Sequence, residues 1–381
     1  MTFEPADRVD SVPPSGIRRF FELAEEMDDI ISLGVGEPDF SAPWAAREAA
    51  IASLERGQTS YTANRGKREL RDRIADYEAS THNLQYDPDG EILVTAGASE
   101  GLDLAFRALL NPGDSIAIAQ PCYVSYVPGA TFAGIDVIDV PTRAEDEFKL
   151  TRETLESSGA AEADALVYCY PNNPTGATMT AEEMASVAAF CREHDLLVFA
   201  DEIYADLTYE HDHTSIATLP GMRERTVVFN GFSKSFAMTG FRLGYAMAPP
   251  EAIEAMNRIH QYSMLSAPTT AQHAAIEALD NCRDEVRDMA AQYDRRRKYV
   301  LTRFEEMGLD CFPAAGAFYA FPECPWDDAG EFAESLLQEK RVAVVPGTAF
   351  GEGGAGHLRV SYATGLDDLK EAMARIESFL D

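Results

Sequence analysis

Positive charge is scarce in this chain: 32 Lys and Arg face 64 Asp and Glu, a formal net charge of -32 at pH 7. The acids are spread along the whole length rather than gathered in a tail, which argues against nucleic acid as a partner. Aromatic residues make up 10% of the chain, so this charge describes a folded protein with an acidic surface rather than a disordered one. Salt would screen the self-repulsion, and the composition therefore carries the expectation of a halophilic setting. No apolar run nears the ~18 to 20 residues that span a bilayer. The opening MTFEPADRVD is neither basic nor apolar, and the reading is an unexported, cytoplasmic protein with no membrane contact. Closely spaced cysteines are missing too: Cys122, Cys169, Cys191, Cys282, Cys311 and Cys324 form no C-x-x-C pair, which leaves reduced thiols as the expectation. No metal site is expected. H-E-x-x-H is absent, and His211-Asp212-His213 has no third ligand nearby, so that tripeptide reads as a polar turn. The nucleotide motif G-x-x-x-x-G-K-[ST] is also absent, and Gly34-Val35-Gly36 lacks the third glycine of G-x-G-x-x-G.

What is present is a rhythm. With 381 residues the chain is long enough for two domains. Short apolar runs at 91–96, 115–119, 135–140, 165–170, 196–200, 226–229 and 243–248 alternate with helical spacing at 101–110 and 181–194. This predicts a mainly parallel sheet covered by helices, an α/β fold. Residues 282–307 predict a long charged helix whose run Tyr293-Asp294-Arg295-Arg296-Arg297-Lys298 faces solvent or another domain, followed by strands at 317–321 and 342–345 and a closing helix at 366–379. The expected division is an N-terminal arm and part of the small domain at 1–44, a large domain at 45–285 and a small C-terminal α+β domain at 286–381.

Lys234 is set among small and apolar residues in Asn230-Gly231-Phe232-Ser233-Lys234-Ser235-Phe236, directly after a predicted strand. Burial disfavours its ammonium form and yields an amine able to attack an aldehyde. Arg242, eight residues on, presents a planar fork of donors suited to a phosphate. A lysine buried against a carboxylate for structural reasons accounts for Lys234 alone equally well. Two further segments decide between these: Tyr170-Pro171-Asn172-Asn173-Pro174-Thr175-Gly176 follows one predicted strand and Asp201-Glu202-Ile203-Tyr204 the next. In an open parallel sheet, ligands sit beyond the carboxyl ends of the strands, so all three segments face one crevice.

The ordered set GEPDF, YxxNxG, PNNPTG, DEIY, SKSFAMTGFRLGY and RVSYA resembles fold-type I aminotransferases of class I/II along nearly the whole chain. SGIRRFFELAEEMDDIISLGVGEPDF and NGFSKSFAMTGFRLGYA are most similar to the archaeal aromatic and aspartate members. The resemblance implies a pyridoxal 5'-phosphate cofactor held by Lys234 as a Schiff base, with Lys234 also carrying the substrate proton. It implies that Asp201 pairs with the pyridine nitrogen, that Asn173 and Tyr204 bond the ring oxygen, and that the Asn173-Pro174 bond is cis. Ala98, Ser99, Ser233 and Arg242 would hold the phosphate, and Tyr123 would lie against the ring. Tyr61 would reach the phosphate of a neighbouring subunit in a homodimer, and Arg359 would grip the substrate α-carboxylate close to Gly36. The implied reaction moves an amino group from an L-amino acid, aromatic or aspartate, to a 2-oxo acid such as 2-oxoglutarate, in two ping-pong halves. One departure is Gly231, where the family often has Ser or Thr.

Two rival readings remain at this level. Lyases, decarboxylases and synthases of the same fold share Lys234, Asp201 and Arg242, because fold and cofactor do not fix the outcome. Gly97-Ala98-Ser99-Glu100-Gly101 is a formal G-x-S-x-G, which would make Ser99 a hydrolase nucleophile with His357 as its base. The glycines at 351–356 read as a mobile loop beside Arg359.

Overall fold

Strands buried on both faces explain why the middle of the sequence shows apolar runs instead of alternation. In the computed structural model, which describes residues 3–14, 16 and 27–381, the segments β2 (Ile92–Thr95), β3 (Ser115–Gln120), β4 (Asp136–Pro141), β5 (Ala165–Tyr168), β6 (Leu197–Asp201), β7 (Thr226–Gly231) and β8 (Gly244–Met247) form one sheet in the order β2-β8-β7-β6-β5-β3-β4. All neighbours are parallel except β8, which runs against both β2 and β7. Successive side chains split between two apolar cores: Ile92, Val94 and Ala117 pack on one side, and Leu93, Ile116 and Ile118 on the other. The α/β expectation therefore holds. Part of the segment 15–40 that carried the family resemblance, namely residues 15 and 17–26, lies outside the described residues.

The helices begin and end where local chemistry dictates. Ala181–Glu193 opens with a reciprocal capping box between Thr180 and Glu183. The predicted long helix is Arg283–Met307, stopped by Gly308 in the left-handed conformation. Ala98–Leu109 starts immediately after β2, with Gly97 as its N-cap at φ 81°.

Beyond the large sheet, β9 (Tyr319–Ala320), β11 (Val345–Pro346) and β12 (Leu358–Ser361) form an antiparallel sheet in the order β11-β12-β9. The apolar run 342–345, expected as one strand, is divided. Its first half, β10 (Val342–Ala343), pairs in parallel with β1 (Ile31–Ser32), while Val345, with Pro346, pairs with β12. The basic run in the long helix is also not a solvated face at its centre. Arg296 and Arg297 are buried, Arg296 binding both carboxylate oxygens of Asp39 and Arg297 binding Asp294, Glu210 and the Ala314 carbonyl. The glycines at 351–356 include tightly packed ones: a Cβ on Gly351 or Gly353 would fall within 2.8 Å of Gln120, and one on Gly354 would strike Gly347. Among the described residues no helix is long and apolar enough to cross a membrane.

Candidate active site

The carboxyl ends of β5, β6 and β7 and the start of the helix Ala98–Leu109 open into one cavity of about 460 Å³. It is lined by Gly36, Ala98, Ser99, Tyr123, Asn173, Asp201, Tyr204, Ser233, Lys234, Arg242 and Arg359, together with Glu37, Tyr126, Thr239 and Tyr319. Every site residue expected from sequence is thus in one place except Tyr61, which is 79% exposed on the surface.

Lys234 follows β7, and its Nζ donates to the Gly36 carbonyl at 2.7 Å. Burial is the main reason its pKa falls to about 8, with Arg359 and Arg242 adding to the effect against Glu37 and Asp201. Asp201 is the last residue of β6 and is buried. Burial pushes its carboxyl up, while the Tyr126 hydroxyl, donating to Oδ2 at 2.6 Å, holds it down. Asn173, after a cis bond pattern that includes Tyr170-Pro171 and Asn173-Pro174, accepts from Arg359 through Oδ1 at 2.9 Å, leaving its Nδ2 as the donor for another partner.

Arg359 comes from β12 and is buried, with its guanidinium 4.6 Å from the ring centroids of both Tyr319 and Phe350. A second terminal nitrogen donates to the Gly34 carbonyl at 2.5 Å, and among the described residues Nε has no hydrogen-bond partner. A buried guanidinium with an unmatched donor beside a cavity is a site for a carboxylate. At the other end, the first amides of the helix Ala98–Leu109 lack intrahelical partners and carry the positive end of the helix dipole. Arg242 stands over this terminus: a Cβ on Gly97 would lie 2.8 Å from its guanidinium. The terminus is pressed against β8, where a Cβ on Gly244 would meet the Ala98 amide at 2.5 Å. Gly231, the departure noted in sequence, has its reason here, because a Cβ would come within 2.8 Å of the Gly244 backbone. No Ser or Thr could stand there without separating β7 from β8.

The cavity therefore offers an amine, a buried acid, an anion cradle and a separate carboxylate grip. Among the described residues no cluster of three or more His, Cys, Asp or Glu is placed for a metal. The family model for aminotransferase class I and II matches residues 28–376. The chain belongs to that family.

The aminotransferase is 44% identical to an aspartate aminotransferase of Pyrococcus abyssi, over 98% of each chain, and 41% identical to aromatic-amino-acid aminotransferase 2 of Thermococcus litoralis, again over 98% of each. A crystal structure of the aromatic aminotransferase from Pyrococcus horikoshii superposes with a TM-score of 0.90 at 43% identity, covering 96% of this chain and 98% of that one. Class I and II aminotransferases depend on pyridoxal 5'-phosphate, and the donor set here fits it: an anion cradle for the phosphate, an amine for the aldehyde and an acid for the ring nitrogen. The hydrolase reading falls. His357 stacks on Phe321 with ring centroids 5.1 Å apart and is not among the cavity residues.

Sequence reasoning missed four residues of the aminotransferase site. Tyr126, Tyr319, Glu37 and Thr239 were not singled out there, and the last two bond each other. His213 is likewise more than part of a polar turn, since its Nε2 lies 3.0 Å from the buried Glu202 carboxylate.

Proposed function

We propose that this aminotransferase moves the amino group of an aromatic L-amino acid or of aspartate to a 2-oxo acid, 2-oxoglutarate being the expected acceptor, in two half-reactions at one site. The observation that carries the reading is the part-buried amine of Lys234 in a cavity shared with Asp201, Arg242 and Arg359. The substrate classes are supported by the relatives from Pyrococcus and Thermococcus.

Pyridoxal 5'-phosphate, when bound, supplies the electron sink that lets the substrate Cα lose a proton. In this reading Lys234 would hold the cofactor, and its amine would carry the substrate proton at Cα. Its depressed pKa makes the neutral amine available near neutrality. Asp201 keeps a proton on the ring nitrogen, with Tyr126 steadying the carboxylate. Asn173 and Tyr204 would donate to the ring oxygen, and Tyr123 would lie against the ring. The amides of Ala98 and Ser99, with Ser233 and Arg242, hold the phosphate. Arg359 would take the substrate α-carboxylate beside the Gly36 backbone, where a Cβ would meet the Tyr319 hydroxyl at 2.6 Å.

Residues 1–44 with 286–381 would act as the smaller domain and 45–285 as the larger. A homodimer belongs to the same proposal. Tyr61, Tyr262, Met264 and Leu265 are exposed, and their segments are tied together by Asn64 donating to the Leu265 carbonyl at 2.7 Å and Thr269 donating to the Ser60 carbonyl at 2.8 Å. A second copy covering this apolar surface would bring its own Tyr61 toward the phosphate cradle. A cytoplasmic location and a preference for high salt complete the reading.

The test is an absorption spectrum of the purified holoenzyme before and after adding glutamate, aspartate or phenylalanine. The reading requires a visible or near-ultraviolet cofactor band, in the range of about 360 to 430 nm, that moves to about 330 nm with the true donor. A protein that stays colourless with added pyridoxal 5'-phosphate, or Lys234→Ala with an unaltered band, overturns it.

A further inference from the structure

The hydroxyls of Tyr204 and Tyr319 lie 2.8 Å apart, both on buried side chains. Tyr204 follows β6 in the large sheet and Tyr319 is in β9 of the other sheet, so this contact joins two separate parts of the fold. The Tyr319 ring also lies under the Arg359 guanidinium, and its hydroxyl fills the space where a Gly36 side chain would start, 2.6 Å from the Cβ position. Tyr319 thus touches the carboxylate grip, the Gly36 backbone and Tyr204 at once.

A hydroxyl pair this close shares one hydrogen, and which oxygen donates is a question of relative acidity. Burial pushes both phenols up and the Arg359 cation pulls both back, but the shared hydrogen bond lowers Tyr319 and raises Tyr204, so Tyr204 is left the more strongly raised. The more acidic hydroxyl is the better donor. We propose that Tyr319 is a positioning residue that donates to Tyr204 and thereby commits the Tyr204 hydrogen to the ring oxygen of the cofactor. This rests on the reading of Tyr204 as a donor to that oxygen.

Chained hydrogen bonds polarise one another, each strengthening the next by roughly 10 to 30%. A donor to the ring oxygen lowers the pH at which the cofactor-bound Lys234 nitrogen takes its proton.

The experiment is a spectrophotometric pH titration of the visible band in wild-type holoenzyme, Tyr319→Phe, Tyr204→Phe and the double variant. Tyr319→Phe keeps the ring under Arg359 and removes only the hydroxyl; a melting curve checks its fold. The transition is expected to rise by about 0.3 to 0.5 pH units in Tyr319→Phe, to rise further in Tyr204→Phe, and to be no higher in the double variant than in Tyr204→Phe. Replacing Tyr319 by 3-fluorotyrosine, which keeps the ring and gives a more acidic hydroxyl, is expected to move the transition down. If Tyr204→Phe shifts the transition and Tyr319→Phe leaves it unchanged or lowers it, the relay is wrong while the Tyr204 reading stands. If Tyr204→Phe itself has no effect, the Tyr204 reading fails and the relay with it.

Discussion

Arg296 grips Asp39 through both terminal guanidinium nitrogens, at 2.7 and 3.0 Å, across 257 residues of sequence. The same guanidinium lies 5.0 Å from the Phe40 ring centroid. The long helix thereby fixes the Gly36-Glu37-Pro38-Asp39-Phe40 loop, whose first carbonyl receives the Lys234 amine. Asp39→Ala leaves a buried cation without its partner, and a loss of about 2 kcal/mol is expected in chemical denaturation. Because the loop borders the carboxylate grip, KM for the amino acid should rise more than kcat falls. Adding Arg296→Met should restore part of the stability, since no unpaired charge remains buried. A double variant less stable than Asp39→Ala would contradict this account.

Lys234 with its pKa near 8 makes the rate of cofactor capture depend on pH. The neutral amine is the nucleophile, so capture by cofactor-free protein should be slow below pH 7, climb through about pH 8 and level off above it. Stopped-flow absorbance would follow the band directly. A rate still climbing toward pH 10 would mean that the amine is not desolvated.

His82 is a buried imidazole 3.4 Å from Asp206, in a cluster that also holds Glu78, Glu202, His213, Tyr77, Tyr86 and Tyr245. Burial opposes its charge, but the Glu78, Asp206 and Glu202 carboxylates outweigh burial and raise its pKa to about 9. The folded value lies above the unfolded value of about 6.5. Its contribution to stability is therefore complete below about pH 6.5 and is lost as pH rises through about 9, amounting to at most about 3 kcal/mol. Comparing denaturation midpoints of wild type and His82→Gln at pH 6 and pH 9.5 should show a wide gap at the lower pH and a narrow one at the higher. Equal gaps would remove His82 as the titrating group.

A net charge of -32 on one chain is self-repulsion that dissolved ions relieve. The melting temperature should climb between 0.1 M and 2 M KCl, and the climb should be reduced in a variant with several exposed acids replaced by Gln. A midpoint indifferent to KCl would set aside the high-salt reading.

The gathering of Asp201, Asn173 and Lys234 at one cavity was legible in the sequence because the rule that places ligands at strand ends is local: each sits at or just past a run of apolar residues. Tyr126 and Tyr319 were not, because what distinguishes them from core aromatics is a hydroxyl partner 75 and 115 residues away. The partner of Arg296 was hidden for the same reason, since a charged helical run read alone suits solvent or another domain equally and names no partner. The division of 342–345 between two sheets was also out of reach, since four consecutive apolar residues say that a segment is buried and not what it pairs with. Tyr61 is a different case: the family resemblance pointed to a second subunit, and the fold of one chain leaves that side chain on the surface.

The reversed direction of β8 has a consequence for how the site comes apart. An antiparallel strand begins where its parallel neighbours finish, and Gly244 is opposite both Thr95 and Gly231. The chain leaves β7, delivers the Lys234 amine, and delivers the Arg242 guanidinium before re-entering the sheet, all within one short excursion. Lys234 and Arg242, which line the same cavity, are thus carried on one short stretch of backbone. Amide exchange across 232–243 should report one opening rate rather than two, and the slow escape of the small molecule should share that rate.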